Sequence, residues 1–286
     1  MDPAPLRRIR EEGGWFPVGS RTLVQVSGPD AKRYLNGQLT IDVNRLKPRI
    51  ARAACLLNAK GKIIAPVFIQ VTEEGGYLIE GPIELHDEIM ARLERYIIAD
   101  DVTLTDRSGP SMDVHVIGRE APRNGISIVR IGRPGFDVAV APPDLPEITA
   151  GNREILRIEA RHPLWGREMD SDTLVQEARL EERSVDFDKG CYVGQEVVSR
   201  LKSVGRVNRR IHVFESAAAP AVLPLNLHAD SASGPVAGHL TSIARDFELA
   251  RTVALGYLHR TFEEGTAFVA VDPAGQPVGS FDKRPS

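Results

Sequence analysis

Asp188-Lys189-Gly190-Cys191-Tyr192-Val193-Gly194-Gln195-Glu196 is the most distinctive stretch of this 286-residue chain. Gly190 and Gly194 bracket a cysteine–tyrosine pair and allow close backbone approach. Val193, Val197, Val198 and Leu201 follow at helical spacing, which predicts a helix starting near Cys191. A thiol there, beside Lys189, has its thiolate favoured by the helix dipole and the ammonium. Gly194 weakens the first turns and points to close packing or ligand contact rather than propensity. Against this stands the small packing cysteine, the commoner state of a buried thiol.

Directly downstream, Arg200, Lys202, Arg206, Arg209 and Arg210 carry no acid among them. They suit a solvated junction, a phosphate, an anionic tail or an acidic partner. Beyond Gly205 the texture changes. Runs at Arg210–Phe214, Val236–Ser242, Thr252–His259, Ala267–Val271 and Val278–Phe281 are separated by Pro, Gly, Ser and Asp. They predict a small all-β domain, a barrel, over 206–286. The Ala217–Pro224 loop is the nearest thing to a biased segment.

Upstream, residues 1–20 are punctuated by Pro and Gly and are expected to wrap the surface. Arg21 to Val26 reads as a strand, and Ser27-Gly28-Pro29-Asp30 as a helix start, the helix stopping near Gly37. Ala53–Asn58 and Lys62–Val71, joined by Asn58-Ala59-Lys60-Gly61, signal a hairpin, and Glu73–Gly76 turns into Tyr77–Glu80. Ile83–Ile97 places Leu85, Ile89, Leu93 and Tyr96 on one helical face. Four short strands follow, at 102–105, 113–117, 126–131 and 136–140. Helices are expected at Asn152–Arg161 and Thr173–Glu182. Strands and helices mix without βαβ alternation, which predicts an α+β class for residues 1–205, possibly as two subdomains.

Composition bounds the function. Hydrophobic residues are 42% and charged residues 26%, as in ordinary globular proteins. The net charge of -3 removes a chain-wide case for nucleic-acid binding, and 6% aromatics disfavour a stacking platform. No apolar run approaches the roughly 20 residues of a membrane helix, and the N-terminus has no signal-type apolar core. Cys55 and Cys191 are the only cysteines, which fits a reducing cytoplasm and cannot supply four thiolate ligands. No metal-ligand spacing, phosphate loop or G-x-S-x-G elbow occurs. His162 is a candidate base for Cys191 if the fold joins them.

Lys-Gly-Cys-Tyr-x-Gly-Gln-Glu resembles the signature of the YgfZ family, folate-binding proteins related to the glycine cleavage T-protein, an aminomethyltransferase. Other blocks agree in order along nearly the whole chain: Leu35-Asn36-Gly37-Gln38-Leu39-Thr40, Leu56-Leu57-Asn58-x-Lys60-Gly61, Arg157-Ile158-Glu159-Ala160 with Pro163-Leu164-x-Gly166, and Ala254-Leu255-Gly256-Tyr257. The cysteine motif is specific; the other blocks alone are weak. The resemblance implies a T-protein-like folate-binding core with a C-terminal β-barrel. It implies tetrahydrofolate as ligand and a role in iron–sulfur cluster assembly or repair, with assembly machinery or client iron–sulfur proteins as partners. Cys191 and Lys189 are its working residues. Glu159 is expected to accept from the two N–H donors of a pterin edge. Asn58, Tyr192, Gln195 and Arg200 are expected as further folate contacts. The T-protein carries an acidic pair at its hairpin where this chain has Ala65 and Pro66, which cannot hold an amine or move a proton. That counts against the alternative, a folate-dependent one-carbon transferase. A third reading, a cysteine hydrolase or transferase unrelated to folate, requires a His-paired Cys191.

Overall fold

From Gly14 onward the Pro- and Gly-rich start of the chain builds the centre of a sheet rather than a surface wrap, while residues 1–4 of that stretch lie outside the described residues. A computed structural model describes residues 5–203, 205–218 and 223–285. Helix α1 (Leu6–Glu12) leads into β1 (Gly14–Ser27), the longest strand. β1 shifts register between Pro17 and Gly19, so the punctuation read as loop hosts a bulge. Its second half buries Thr22, Val24 and Val26 in strict alternation.

The chain continues through α2 (Ala31–Gln38), β2 (Arg52–Leu57), β3 (Ile63–Val71), β4 (Tyr77–Pro82) and α3 (His86–Glu94). Asp30, not Ser27, takes the cap position of α2. The strands β5 (Thr103–Asp106), β6 (Gly109–Ile117), β7 (Ile126–Ile128) and β8 (Gly135–Val138) complete an antiparallel sheet ordered β2-β3-β4-β1-β6-β8-β7, with β5 on β1. On one face α2 and α3 press Leu35, Leu39, Ile89 and Leu93 against Val24, Leu56, Val67 and Ile79.

Then come α4 (Ala150–Glu159), capped by Thr149, α5 (Glu181–Ser184) and α6 (Gln195–Ser203). The helix expected over Thr173–Glu182 shrinks to α5. Thr173 donates to Asp170 and the Leu174 N–H to Glu177, local bonds that compete with a helix, and Arg179 sits at φ 53.

The remaining strands, β9 (Arg209–Ser216), β10 (Leu225–Ala229), β11 (Val236–Asp246), β12 (Arg251–His259), β13 (Ala267–Val271) and β14 (Pro277–Lys283), close a barrel in the order β10-β11-β12-β9-β14-β13. Strand β10 was not among the expected runs, though Leu225, Leu227 and Ala229 alternate inward. Of the Ala217–Pro224 loop, residues 219–222 lie outside the described residues. Phe214 and Phe268 meet edge-on inside the barrel at 6.1 Å. Ile155, Leu156 and Ile158 of α4 join Leu6 and Ile9 of α1 and Ile211, Val253 and Leu255 of the barrel in one apolar cluster. Burial of each such side chain stabilises by about 1.5–3 kcal/mol, which fixes barrel to core.

Candidate functional site

Beneath the sheet face opposite α2 and α3 lies a cavity of about 820 Å³, bounded by β1 to β3, α4, the 162–169 loop, α5 and Ile243 of the barrel. Phe16, Pro66, Phe68, Ile131, Leu164 and Ile243 give it apolar walls. Strand alternation explains the division of the missing acidic pair. Pro66 faces the cavity, whereas Ala65 points into the core beneath α2 and α3.

The polar lining is cationic, with seven arginines and one carboxylate, Glu154. Arg21 meets Glu80 at 2.8 Å, and Arg130 meets Glu80 at 2.8 Å and Asp137 at 3.0 Å. Arg52 is bidentate on Asp186 at 2.8 and 2.9 Å. Arg157 donates to Glu154 at 2.9 Å and Glu168 at 3.0 Å, and Arg167 to Glu154 at 2.9 Å. Five carboxylates thus answer five arginines. Arg153, lying 5.2 Å over the Phe16 ring, and Arg183 make no salt bridge among the described residues. Arg183 instead donates to His162 Nδ1 at 3.4 Å. Burial first, then Arg183 and Arg157, pushes His162 down to about 3, so the cavity holds a neutral imidazole at ordinary pH.

Glu159 stands elsewhere. Its Oε1 accepts from Arg10 at 2.6 Å and Arg251 at 2.8 Å, and its Oε2 from Arg133 at 3.0 Å. It does not line the cavity. At 3.6 residues per turn, positions 154 and 159 fall on different faces of α4. Glu154 faces the cavity with Arg157, and Glu159 follows Ile155 toward α1 and the barrel. The i,i+3 pairing of Glu154 with Arg157 was the available signal for the cavity-facing stripe.

The cysteine motif forms a second locus. Lys189 Nζ donates to the carbonyls of Asn36 and Leu39 at the end of α2, and sits 4.8 Å over the Tyr192 ring. It is a clamp on a helix C-terminus, where a cation is favoured, rather than a dedicated thiol partner. Burial pushes its ammonium down to about 8. Cys191 is exposed, and α6 begins only at Gln195, so the thiol is not on a helix N-terminus. Gly194, at φ 87, intervenes because a Cβ there would lie 2.7 Å from Asn58 O. Asn58 Oδ1 is used within its own turn, accepting from the N–H groups of Lys60 and Lys62. Tyr192 is buried with Cys55 and Leu57, and burial pushes the Cys55 thiol up to about 12.

Cys191, Lys189, Tyr192, Gln195 and Asn58 therefore gather at the hairpin end. Arg200 lies exposed on α6, and none of the seven expected site residues lines the cavity. Met169 and Leu180 line the cavity and pack in the same cluster as Tyr192, which separates the two loci. His162 belongs to the cavity and not to Cys191. Arg209 and Arg210 face Glu177 and Glu181 at 3.5 and 3.6 Å, as a junction requires. Trp165 packs in the core. Among the described residues no cluster of His, Cys, Asp or Glu is arranged to hold a metal, and no helix is long and apolar enough to cross a membrane.

No family model matches the chain. The iron-sulfur cluster assembly factor IBA57 homolog, mitochondrial, of Phaeosphaeria nodorum is 28% identical over 253 residues, covering 77% of this chain and 57% of that protein. The corresponding protein of Pyricularia oryzae is 28% identical over 233 residues, covering 69% and 56%. This chain thus spans little more than half the length of these relatives. An aminomethyltransferase of Rubrobacter xylanophilus is 25% identical over 301 residues, covering 90% of this chain and 79% of that protein. The glycine cleavage system aminomethyltransferase T from Bartonella henselae has the same fold, with a TM-score of 0.77 at 18% identity over 95% of this chain and 85% of that one. The expected α+β architecture with a T-protein-like core and a C-terminal barrel stands, and a YgfZ-type, T-protein-like family fits both relatives and fold.

Proposed function

We propose that this protein binds tetrahydrofolate and serves iron–sulfur cluster assembly or repair, with folate in the arginine-lined cavity and Cys191 at a surface shared with a partner. The observation that carries the folate reading is the cavity's charge. Arg153 and Arg183 are the two lining cations without a salt bridge among the described residues, and a folate glutamate tail brings two carboxylates. The apolar walls suit a pterin and its aromatic linker. Of about four lone-pair positions on Glu154, Arg157 and Arg167 use three, which leaves one for a pterin N–H. Neutral His162 adds no charge. The residues present therefore fit the ligand, with Glu154 in the role first expected of Glu159. Bound folate would supply a one-carbon carrier; the chain's own residues bind it, orient it and exclude water.

The iron–sulfur role rests on what the fungal relatives are named for and on the exposed thiol. One thiolate cannot hold a cluster, so ligands must come from a partner or a second copy. In this reading residues 1–205 form the folate-binding core and 206–286 the barrel. The cytoplasmic setting belongs to the same proposal. The fungal relatives are named mitochondrial, so fractionation of the native cell is its test.

The aminomethyltransferases among the relatives favour a second reading, one-carbon transfer. The cavity opposes it, because Pro66 faces the site and its single carboxylate is already salt-bridged. The deciding experiment is calorimetric titration with tetrahydrofolate, followed by an assay for methylene-tetrahydrofolate release from an aminomethyl carrier. Saturable binding without turnover supports the accessory role. Turnover at an ordinary enzymatic rate would replace it, and no binding would end the folate reading.

A further inference from the structure

His162 lines the cavity, and one contact fixes which of its ring nitrogens carries the hydrogen. Arg183 Nη1 lies 3.4 Å from His162 Nδ1. A guanidinium has donors only, so Nδ1 is the acceptor and keeps a lone pair. The ring is neutral, since burial and the neighbouring arginines push it down to about 3. In a neutral imidazole the other nitrogen then holds the hydrogen, which makes Nε2 an N–H donor. That Nε2 has no hydrogen-bond partner among the described residues, yet it is not one of the nitrogens closed off from solvent. Its open side is the cavity that the ring lines.

The residue is held firmly. Its backbone N–H donates to Arg157 O at 3.0 Å, and its carbonyl accepts from Arg157 Nη1 at 2.7 Å. Arg161, just before it, holds φ 51, a left-handed backbone that helix ends usually give to glycine. A Cβ on Gly132 would lie 3.1 Å from His162 Cβ, so the 132 loop packs against the same side chain. Arg157 also grips Glu154, through Nε at 2.9 Å and Nη2 at 2.5 Å. One guanidinium therefore fixes both residue 162, with its donor, and Glu154, with its free acceptor position. A pterin edge carries the complement, a ring carbonyl next to N–H donors. The Nε2–H points away from Arg183, which leaves that cation free for the tail.

We infer that His162 donates from Nε2 to the ring carbonyl of a pterin whose N–H meets Glu154, and that this donor makes the cavity reject pterins with an amino group in place of the carbonyl. The inference rests on the folate reading. An amino group there would set N–H₂ against N–H, and a site built to hydrogen-bond one group discriminates against its inverse. The test compares Kd on the full chain, by calorimetry, for tetrahydrofolate and for tetrahydroaminopterin, which carries the amino group. Tetrahydrofolate should bind about ten- to a hundredfold tighter. His162→Leu and Arg183→Met should each cut that preference by about tenfold, the second because a freed ring can turn its lone pair toward the ligand. Arg183→Lys, which still offers only a donor, should keep it. Both ligands carry the same tail, so their ratio is blind to any effect of Arg183 on the tail or of a variant on general stability. The imidazole nitrogen resonances of His162 should show a protonated Nε2. Binding of both ligands without preference overturns the inference and leaves the folate reading standing, as does a protonated Nδ1 in a neutral ring or a full preference retained in His162→Leu. The wild-type ratio and the resonances need no variant, so a misfolded His162→Leu leaves the inference exposed to both. Failure of both ligands to bind overturns the folate reading itself.

Discussion

Arg157 Nη1 donates to Glu168 Oε2 at 3.0 Å with both side chains out of solvent, and Glu168 Oε1 accepts from Thr241 at 2.8 Å and Ser242 at 2.5 Å on the barrel. One carboxylate therefore joins cavity wall, 162–169 loop and barrel. Glu168→Gln leaves Arg157 less compensated and points an N–H₂ at donors. Breaking a buried pair from one side costs about 3–5 kcal/mol, a large share of an ordinary domain's stability. Urea unfolding should show that loss. A change below about 1 kcal/mol would mean that water replaces the carboxylate without strain.

Folate affinity should follow the cavity rather than the Arg-Ile-Glu-Ala block. Arg183→Gln and Glu154→Gln each remove a charge-assisted contact worth about 1.5–3 kcal/mol, or roughly ten- to a hundredfold in Kd. Glu159→Gln should leave Kd unchanged and lower stability instead, since three arginines converge on that side chain. Calorimetry on the three variants separates the cases. A Kd that weakens only in Glu159→Gln would restore the first expectation for that residue.

Stability should fall as pH drops below about 6.5, before most carboxylates titrate. His162 and His212 are both pushed down to about 3 by burial and neighbouring arginines. Unfolded histidine titrates near 6.5, so between these values the unfolded chain binds more protons and acid favours unfolding. Each histidine contributes a slope of at most about 1.4 kcal/mol per pH unit in that window. His86, raised by Asp87 and Asp106 at the surface, acts in the opposite sense. Melting temperatures from pH 7.5 to 4.5 should decline, and His162→Gln should flatten the decline. An unchanged profile in that variant would show that His162 is protonated within the fold.

The two thiols should separate cleanly. Iodoacetamide should modify exposed Cys191 in the native protein and leave Cys55 untouched until unfolding. Lys189→Met should barely alter that labelling. It should lower stability by about 1–3 kcal/mol, because two carbonyls at the end of α2 lose their donor. Cys191→Ser should keep fold and folate binding yet fail to restore iron–sulfur enzyme activity in cells lacking the protein. Full restoration by the serine variant would make the motif structural.

What the sequence determined by itself was local. The Asn58–Gly61 turn between alternating strands, the apolar stripe at Leu85, Ile89 and Leu93, the alternation from Arg209 onward and the glycines of the cysteine motif each encode their element through neighbours a few positions apart. The separation of Cys55 from Cys191 was legible for the same reason, since one thiol sits in an apolar run and the other between glycines. Tertiary structure decided the rest. The sequence singled out Glu159 and left Glu154 unremarked. Only the packing of α4 between sheet and barrel turns one toward a cavity and the other into an arginine cluster. The cavity's arginines come from β1, β2, the 130 loop, α4, the 167 loop and α5, so no window of sequence could sum their charge. Lys189 likewise looked like a partner of the cysteine two residues away. It was taken instead by carbonyls about 150 positions upstream, because a buried ammonium needs acceptors that only the folded end of α2 provides.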